Sequence, residues 1–172
     1  MNAIHQRILR WSWIILISLS IAGCGGSTLV QPTHPLIATE GTTEKAKVYF
    51  IRPDPGFRGV MDISLTISLA GTELLTLAKG QYTLIQLVAG SAELKVDSYT
   101  VAGPANAMTK VTTTTQFTFL PGGTHYLVFQ MVSRGVLMGS VFLPQQVPKD
   151  LALDTVRGLT PVGAAIVEPI SR

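Results

Sequence analysis

Cysteine is nearly missing from this 172-residue chain. Cys24 is the only one, which excludes an intramolecular disulfide and any multi-cysteine zinc site. Histidine is almost as scarce, with His5, His34 and His125 alone. Charge is thin as well: 13 basic and 10 acidic residues make 13% of the chain, for a formal net charge of +3. That balance has none of the basic excess of a nucleic-acid binder, so nucleic acid is excluded as a partner. Both tryptophans, Trp11 and Trp13, fall near the start, leaving only Tyr and Phe to form any stacking platform for a sugar. No apolar run reaches the roughly 20 residues a spanning helix needs. The 16 glycines and 10 prolines are too few and too aperiodic for a low-complexity chain, while 47% apolar residues argue against disorder. The length suits one ordinary domain with short appendages.

What is present begins with a targeting pattern. Arg7 and Arg10 stand in a segment without acids, and Trp11 to Ala22 carries no charge. Gly23, Gly25 and Gly26 then end the apolar run too early for a membrane span, which predicts a secretory signal over 1–23. Ile21-Ala22-Gly23-Cys24 resembles the lipobox of bacterial lipoprotein signal peptides. The resemblance implies cleavage after Gly23, a diacylglycerol on Cys24 and acylation of the new amino group. Two or more chains give the stable anchoring that one cannot. By analogy with Gram-negative lipoproteins, Gly25 rather than Asp after the cysteine points to the outer membrane, facing the periplasm. The membrane, reached through acyl chains on Cys24, is then the first expected partner.

Residues 24–45 read as a tether. Gly25-Gly26-Ser27-Thr28, Gln31-Pro32-Thr33-His34-Pro35 and Glu40-Gly41-Thr42-Thr43 carry turn and extended preferences without helical or strand period. As a flexible chain it spans about 25 Å on average. From Ala46 onward the pattern changes to period-2 alternation. Ile63, Leu65, Ile67 and Leu69 alternate with Ser64, Thr66, Ser68 and Ala70; Ala92, Leu94 and Val96 alternate with Glu93, Lys95 and Asp97; Phe117 and Phe119 alternate with Gln116 and Thr118. The runs 48–51, 126–129 and 141–143 are apolar on both parities, which suits central strands covered on both faces or strands near a sheet crossing. Ala70-Gly71, Lys79-Gly80, Ala89-Gly90, Pro121-Gly122-Gly123 and Arg134-Gly135 separate these runs as turns. About eight short strands at this spacing predict an all-β antiparallel sandwich over 46–160. In 81–88 the apolar parity switches between Leu84 and Ile85, the signature of a bulge. Pro148 to Gly158 reads as a short C-terminal helix, and in the tail 161–172 the apolar stretch Val162–Val167 either docks as an extra strand or frays.

Ala46-Lys47-Val48-Tyr49-Phe50-Ile51-Arg52-Pro53 resembles the opening strand of the domain-of-unknown-function 2846 family of bacterial lipoproteins. So do the later signals Ala70-Gly71, Gly80-Gln81-Tyr82, Ala89-Gly90 and Gly122-Gly123-Thr124-His125-Tyr126. The likeness covers about residues 46–143. Ala stands here where the family's first turn has Asp, and again where its second has Pro. The resemblance implies a small β-sandwich on a lipid anchor and carries no activity or catalytic residue with it.

The chemistry-bearing residues are few. His125 is the only histidine beyond the tether, and a hydrolase centred on it needs a carboxylate or hydroxyl within hydrogen-bond reach. There is no Gly-x-Ser-x-Gly elbow, no phosphate-cradling loop and no second histidine for a metal pair. No catalytic residue, metal site or cofactor is therefore predicted. The most polar loop is Arg52-Pro53-Asp54-Pro55-Gly56-Phe57-Arg58-Gly59. Arg52, Asp54, Phe57 and Arg58 form a candidate contact for an anionic group or an envelope protein partner. The plainer alternative is an Arg52–Asp54 interaction bracing a strand exit. The expected function is a non-enzymatic, membrane-anchored interaction or structural module of the envelope. A carrier of a small apolar ligand or lipid, with a cavity lined by Leu65, Leu94 and Phe117, is the first alternative.

Overall fold

The computed structural model describes residues 44–54, 56, 64–103, 105, 107–135 and 139–171. Among the described residues, nine strands form two sheets in a sandwich-like all-β fold with one short helix. The strands are β1 (Lys45–Arg52), β2 (Leu65–Leu69), β3 (Thr72–Leu77), β4 (Gln81–Val88), β5 (Gly90–Ala102), β6 (Ala107–Phe119), β7 (Thr124–Ser133), β8 (Ser140–Val147) and β9 (Thr160–Gly163). A four-stranded antiparallel sheet runs β3–β2–β5–β6, and a five-stranded sheet runs β8–β7–β1–β4–β9. The second sheet is mixed, against the expectation of antiparallel pairing throughout. β7 crosses over from β6 in the other sheet and lies parallel to β1, and β9 returns after the helix to lie parallel to β4. The C-terminal tail thus supplies a ninth strand rather than fraying.

The alternating strands build the core between the sheets. Leu65, Ile67 and Leu69 of β2, Leu94 and Val96 of β5 and Phe119 of β6 face Val48 and Phe50 of β1, Leu87 of β4, and Leu127 and Phe129 of β7. Phe50 and Phe129 stack at 6.2 Å. The runs that are apolar on both parities have a second use. Tyr49 and Ile51, Tyr82 and Leu84, and Tyr126 and Val128 point to the opposite face of the five-stranded sheet, where Ala152 and Ala165 cover them. A central strand buried on both faces needs both parities apolar, and β1, β4 and β7 satisfy that.

This second core also accounts for the parity switch in 81–88. The register of β1 with β4 runs unbroken from Lys45↔Val88 to Arg52↔Gln81, so there is no bulge at Leu84 and Ile85. Tyr82 and Leu84 serve the outer core, while Ile85 and Leu87 serve the inner one. The bulge lies instead between β2 and β3. There the register shifts at Ile67/Ser68, and Leu74 and Leu75 are consecutive and both buried. Residues 141–143 behave differently from the other double-parity runs: β8 is an edge strand. It meets the other sheet, as Thr113 donates its hydroxyl to the Phe142 carbonyl at 2.7 Å and Ser140 N–H donates to Thr100 Oγ1 at 2.9 Å. A Cβ at Gly139 would stand 2.3 Å from that Thr100 oxygen, so this close approach requires glycine.

The helix forms where the sequence predicts it. α1 covers Lys149–Thr155, with Pro148 as its N-cap and Gly158 at φ +81° just beyond. Ala152 is its buried residue, small enough to lie against the tyrosines. A 3-10 turn, Ala164–Ile166, and the residues after it finish the outer layer. No helix among the described residues is long and apolar enough to cross a membrane.

Candidate functional site

The polar segment leaving β1 is tied to the β3–β4 connection. Arg52 is the last residue of β1 and pairs in register with Gln81. Its side chain is buried, 4% exposed, because it turns inward: Nη1 donates to the Leu77 carbonyl at 2.8 Å, and the guanidinium lies 5.2 Å from the centroid of the Phe142 ring. Asp54 points the other way. Its Oδ1 accepts from the Gly56 amide at 2.8 Å and from Lys79 Nζ at 3.1 Å. The Gly56 hydrogen bond and then Lys79 hold the Asp54 carboxyl below its ordinary 3.8, with Arg52 a weaker contributor. The strand exit is therefore braced by the Leu77 carbonyl on Arg52 and by Lys79 on Asp54, with the Arg52 charge also felt at the Asp54 carboxylate. Gln81 closes the same corner, its Oε1 accepting from Ala78 N–H at 3.1 Å. Among the described residues the corner holds the surface ion pair Asp54–Lys79 and the buried guanidinium of Arg52. Phe57 and Arg58 lie outside the described residues.

His125 is the second residue of β7 and is buried. Nε2 accepts from the Leu120 amide at 2.9 Å, the ring meets Phe119 edge-on at 5.4 Å, and Nδ1 lies 3.3 Å from the side-chain nitrogen of Gln146. Among the described residues its hydrogen-bond partners are thus a backbone amide and a side-chain amide. The imidazole closes the Pro121-Gly122-Gly123 turn, and neither a carboxylate nor a hydroxyl among the described residues is seen bonded to it. The turn is tight: a Cβ at Gly123 would stand 3.0 Å from the Leu120 carbonyl oxygen and 3.1 Å from His125 Nε2.

The charges of β5 lie on the solvent face, as their alternation predicts. Asp97 accepts from Thr112 Oγ1 at 2.6 Å and lies 2.9 Å from Lys110 Nζ and 3.6 Å from Lys95 Nζ. Partial burial pushes its carboxyl up, but Thr112 and Lys110 outweigh that and hold it below 3.8. With two lysines around one carboxylate, this cluster leaves a single positive charge on the sheet face.

Leu65 and Leu94 are fully buried members of the inner core, and Phe117 packs against it, stacked on Phe119 at 6.2 Å. No group of three or more His, Cys, Asp and Glu able to hold a metal occurs among the described residues. Gly23 and Cys24 lie outside them. The feature that sequence reasoning missed is the tyrosine face of the outer core. Tyr49 and Tyr126 stack at 5.4 Å, and the Tyr49 hydroxyl donates to the Glu168 carbonyl at 2.9 Å. Lys47 Nζ is ion-paired with the Glu168 carboxylate. The tyrosines of 49, 82 and 126 share one parity across three neighbouring strands, a signal that needed the strand order to be read. No family model, curated protein or solved structure matches this chain.

Proposed function

We propose that the chain is a lipid-anchored lipoprotein of the bacterial envelope whose folded part serves as a non-enzymatic interaction or structural module. The observation that carries this reading is Ile21-Ala22-Gly23-Cys24, placed directly after the uncharged run Trp11–Ala22. The likeness of 46–53 to the opening strand of the 2846 lipoproteins supports it from an independent segment. Two features of the folded part are in keeping with a module that binds rather than reacts. The imidazole of His125 is engaged in closing a turn, and the Arg52 guanidinium is buried against Leu77 and Phe142.

In this reading Cys24 is consumed by its lipid, and any partner meets the exposed polar corner around Asp54 and Lys79. The test is chemical. Protein from a bacterial membrane should carry a diacylglycerol on an N-terminal Cys24, and Cys24→Ser should move it from the detergent phase to the aqueous phase. An unmodified Cys24, or unchanged detergent partition of the Ser variant at the same mass, would overturn the reading.

A further inference from the structure

We infer that the end of the domain where the tether joins it is a bilayer-contacting surface, on which Leu120, Ile166 and Val167 enter the interfacial region of a glycerophospholipid membrane. The inference rests on the lipid anchor proposed above and adds an orientation to it.

The register defines that end. The described chain starts at Glu44, whose carbonyl accepts from Ala89 N–H at 2.9 Å, and β1 follows from Lys45. Gly122 N–H donates to the Lys45 carbonyl at 3.0 Å and Lys47 N–H to the Gly123 carbonyl at 2.9 Å. The turn that follows Leu120 is thus hydrogen-bonded directly to the first residues of β1. Ile166 and Val167 immediately precede Glu168, which is ion-paired with Lys47 on the same stretch of strand. The three side chains therefore lie around the point where the tether arrives.

They are also the most exposed large apolar side chains among the described residues. Leu120 is 62%, Ile166 65% and Val167 89% exposed, while none of the other five exceeds 54%. Met108, Met131 and Val132 among those five lie toward the opposite end, opposite Val101, Phe142 and Val141 in register. An isolated exposed leucine needs no explanation. What needs one is that the three largest exposures gather where the chain leads back to Cys24.

The occupant follows from the tether. Residues 25–43 separate Cys24 from Glu44, and the tether expected from their composition has an average reach of about 25 Å. β1, at about 3.3 Å per residue, is about as long, so the tethered end stays within reach of the lipid surface while the far end stands off. A short linker raises the local concentration of that surface to about the millimolar range. Weak apolar insertion that would never hold a free protein then suffices to set the orientation of an anchored one.

Because Cys24 is the only cysteine, a cysteine introduced into the lipidated protein is the sole reactive thiol. Leu120→Cys, Val167→Cys and Met131→Cys should each be spin-labelled in full-length lipidated protein on vesicles of phosphatidylethanolamine and phosphatidylglycerol. Flotation of the vesicles reads the anchor, and collisional access of the nitroxide to oxygen against a water-soluble nickel complex reads the contact. The expected result is an oxygen-to-nickel ratio several-fold higher at 120 and 167 than at 131. Floating protein with equal, aqueous ratios at all three sites would overturn the contact and leave the anchor standing. Low access to both reagents at 120 and 167 would mean that protein covers this end, and would also overturn it. Protein that does not float would overturn both readings together.

Discussion

The Leu120 amide donates to Nε2 of His125 at 2.9 Å, and that one bond determines the protonation pattern of the ring. A neutral imidazole whose Nε2 accepts must carry its proton on Nδ1. Nδ1 then needs an acceptor, and the side chain 3.3 Å away is Gln146. The nitrogen that faces Nδ1 cannot accept, so the Gln146 amide is to be turned with its oxygen toward the ring, an assignment the hydrogen-bond network decides. Long-range proton–nitrogen spectra should show the Nδ1–H tautomer for His125. The Nε2–H tautomer in such spectra would contradict the bond.

The same bond has a stability consequence. His125→Phe keeps an aromatic ring against Phe119 but leaves the Leu120 amide without its acceptor, which costs about 1–3 kcal/mol. Gly123→Ala crowds both the Leu120 carbonyl and Nε2 from the other side, and overpacking of this kind costs a similar amount, about 1–3 kcal/mol. Both substitutions act on one turn, so their combined effect in urea unfolding should be smaller than the sum of the single losses. Full additivity would show that the turn and the imidazole are not coupled.

The β2–β3 turn offers the opposite kind of test. Leu69 pairs with Thr72, leaving Ala70 and Gly71 as a two-residue turn with φ +47° and φ +82°. Both central residues lie in the left-handed region that favours Asn-Gly or Asp-Gly, and alanine there costs about 1–2 kcal/mol. Ala70→Asn retains the amide that donates to the Glu93 carbonyl at 2.9 Å and relieves much of that strain. Thermal unfolding should show a stabilised variant; an unchanged or lowered midpoint would mean that the turn carries no such strain.

How much of this was legible in the sequence depends on which contacts are local. Alternation at Leu65–Leu69 and Ala92–Val96 announces strands because each residue reports its own face. The helix at Lys149–Thr155 is equally local, bounded by Pro148 and Gly158. The second core was legible only in part. Double parity at 48–51 and 126–129 says that two faces are covered but not by what, and the cover, Ala152 and Ala165, is small residues far along the chain. The same blindness turned the parity switch at Leu84 and Ile85 into an expected bulge. At the candidate site the sequence identified Arg52 and Asp54 as unusual, yet their partners, Leu77 and Lys79, are set by sheet order and lie 25 residues further along the chain.

The tyrosines of the outer core make alkaline stability a readout of that cover. Burial and then Glu168 push the Tyr49 phenol up to about 12, and burial raises Tyr82 and Tyr126 above 10.0. A raised folded-state value means that the folded chain holds its proton longer than the unfolded one. The contribution is fully present below pH about 10 and is lost as pH rises through the folded-state values. Stability should therefore fall between pH about 10 and about 12, and Tyr49→Phe should make that fall shallower. A pH slope identical in the Phe variant would show that Tyr49 is not sealed by the C-terminal segment.

The corner beyond β1 separates a structural charge from an available one. Arg52 is buried and its Nη1 hydrogen-bonds the Leu77 carbonyl, whereas Asp54 and Lys79 form a surface ion pair. Arg52→Met preserves much of the volume near Phe142 but removes a charged donor from a buried carbonyl, a loss of about 1–3 kcal/mol. Asp54→Ala removes a solvent-screened surface pair, whose loss costs little. Urea unfolding should thus show a large loss for Arg52→Met and a small one for Asp54→Ala. The comparison determines how partner binding is to be read at this corner. A loss of affinity in Arg52→Met reflects a disturbed strand exit, while a loss in Asp54→Ala at unchanged stability marks a direct contact. Equal destabilisation by the two substitutions would mean that the surface pair, not the buried guanidinium, holds the β3–β4 connection to β1.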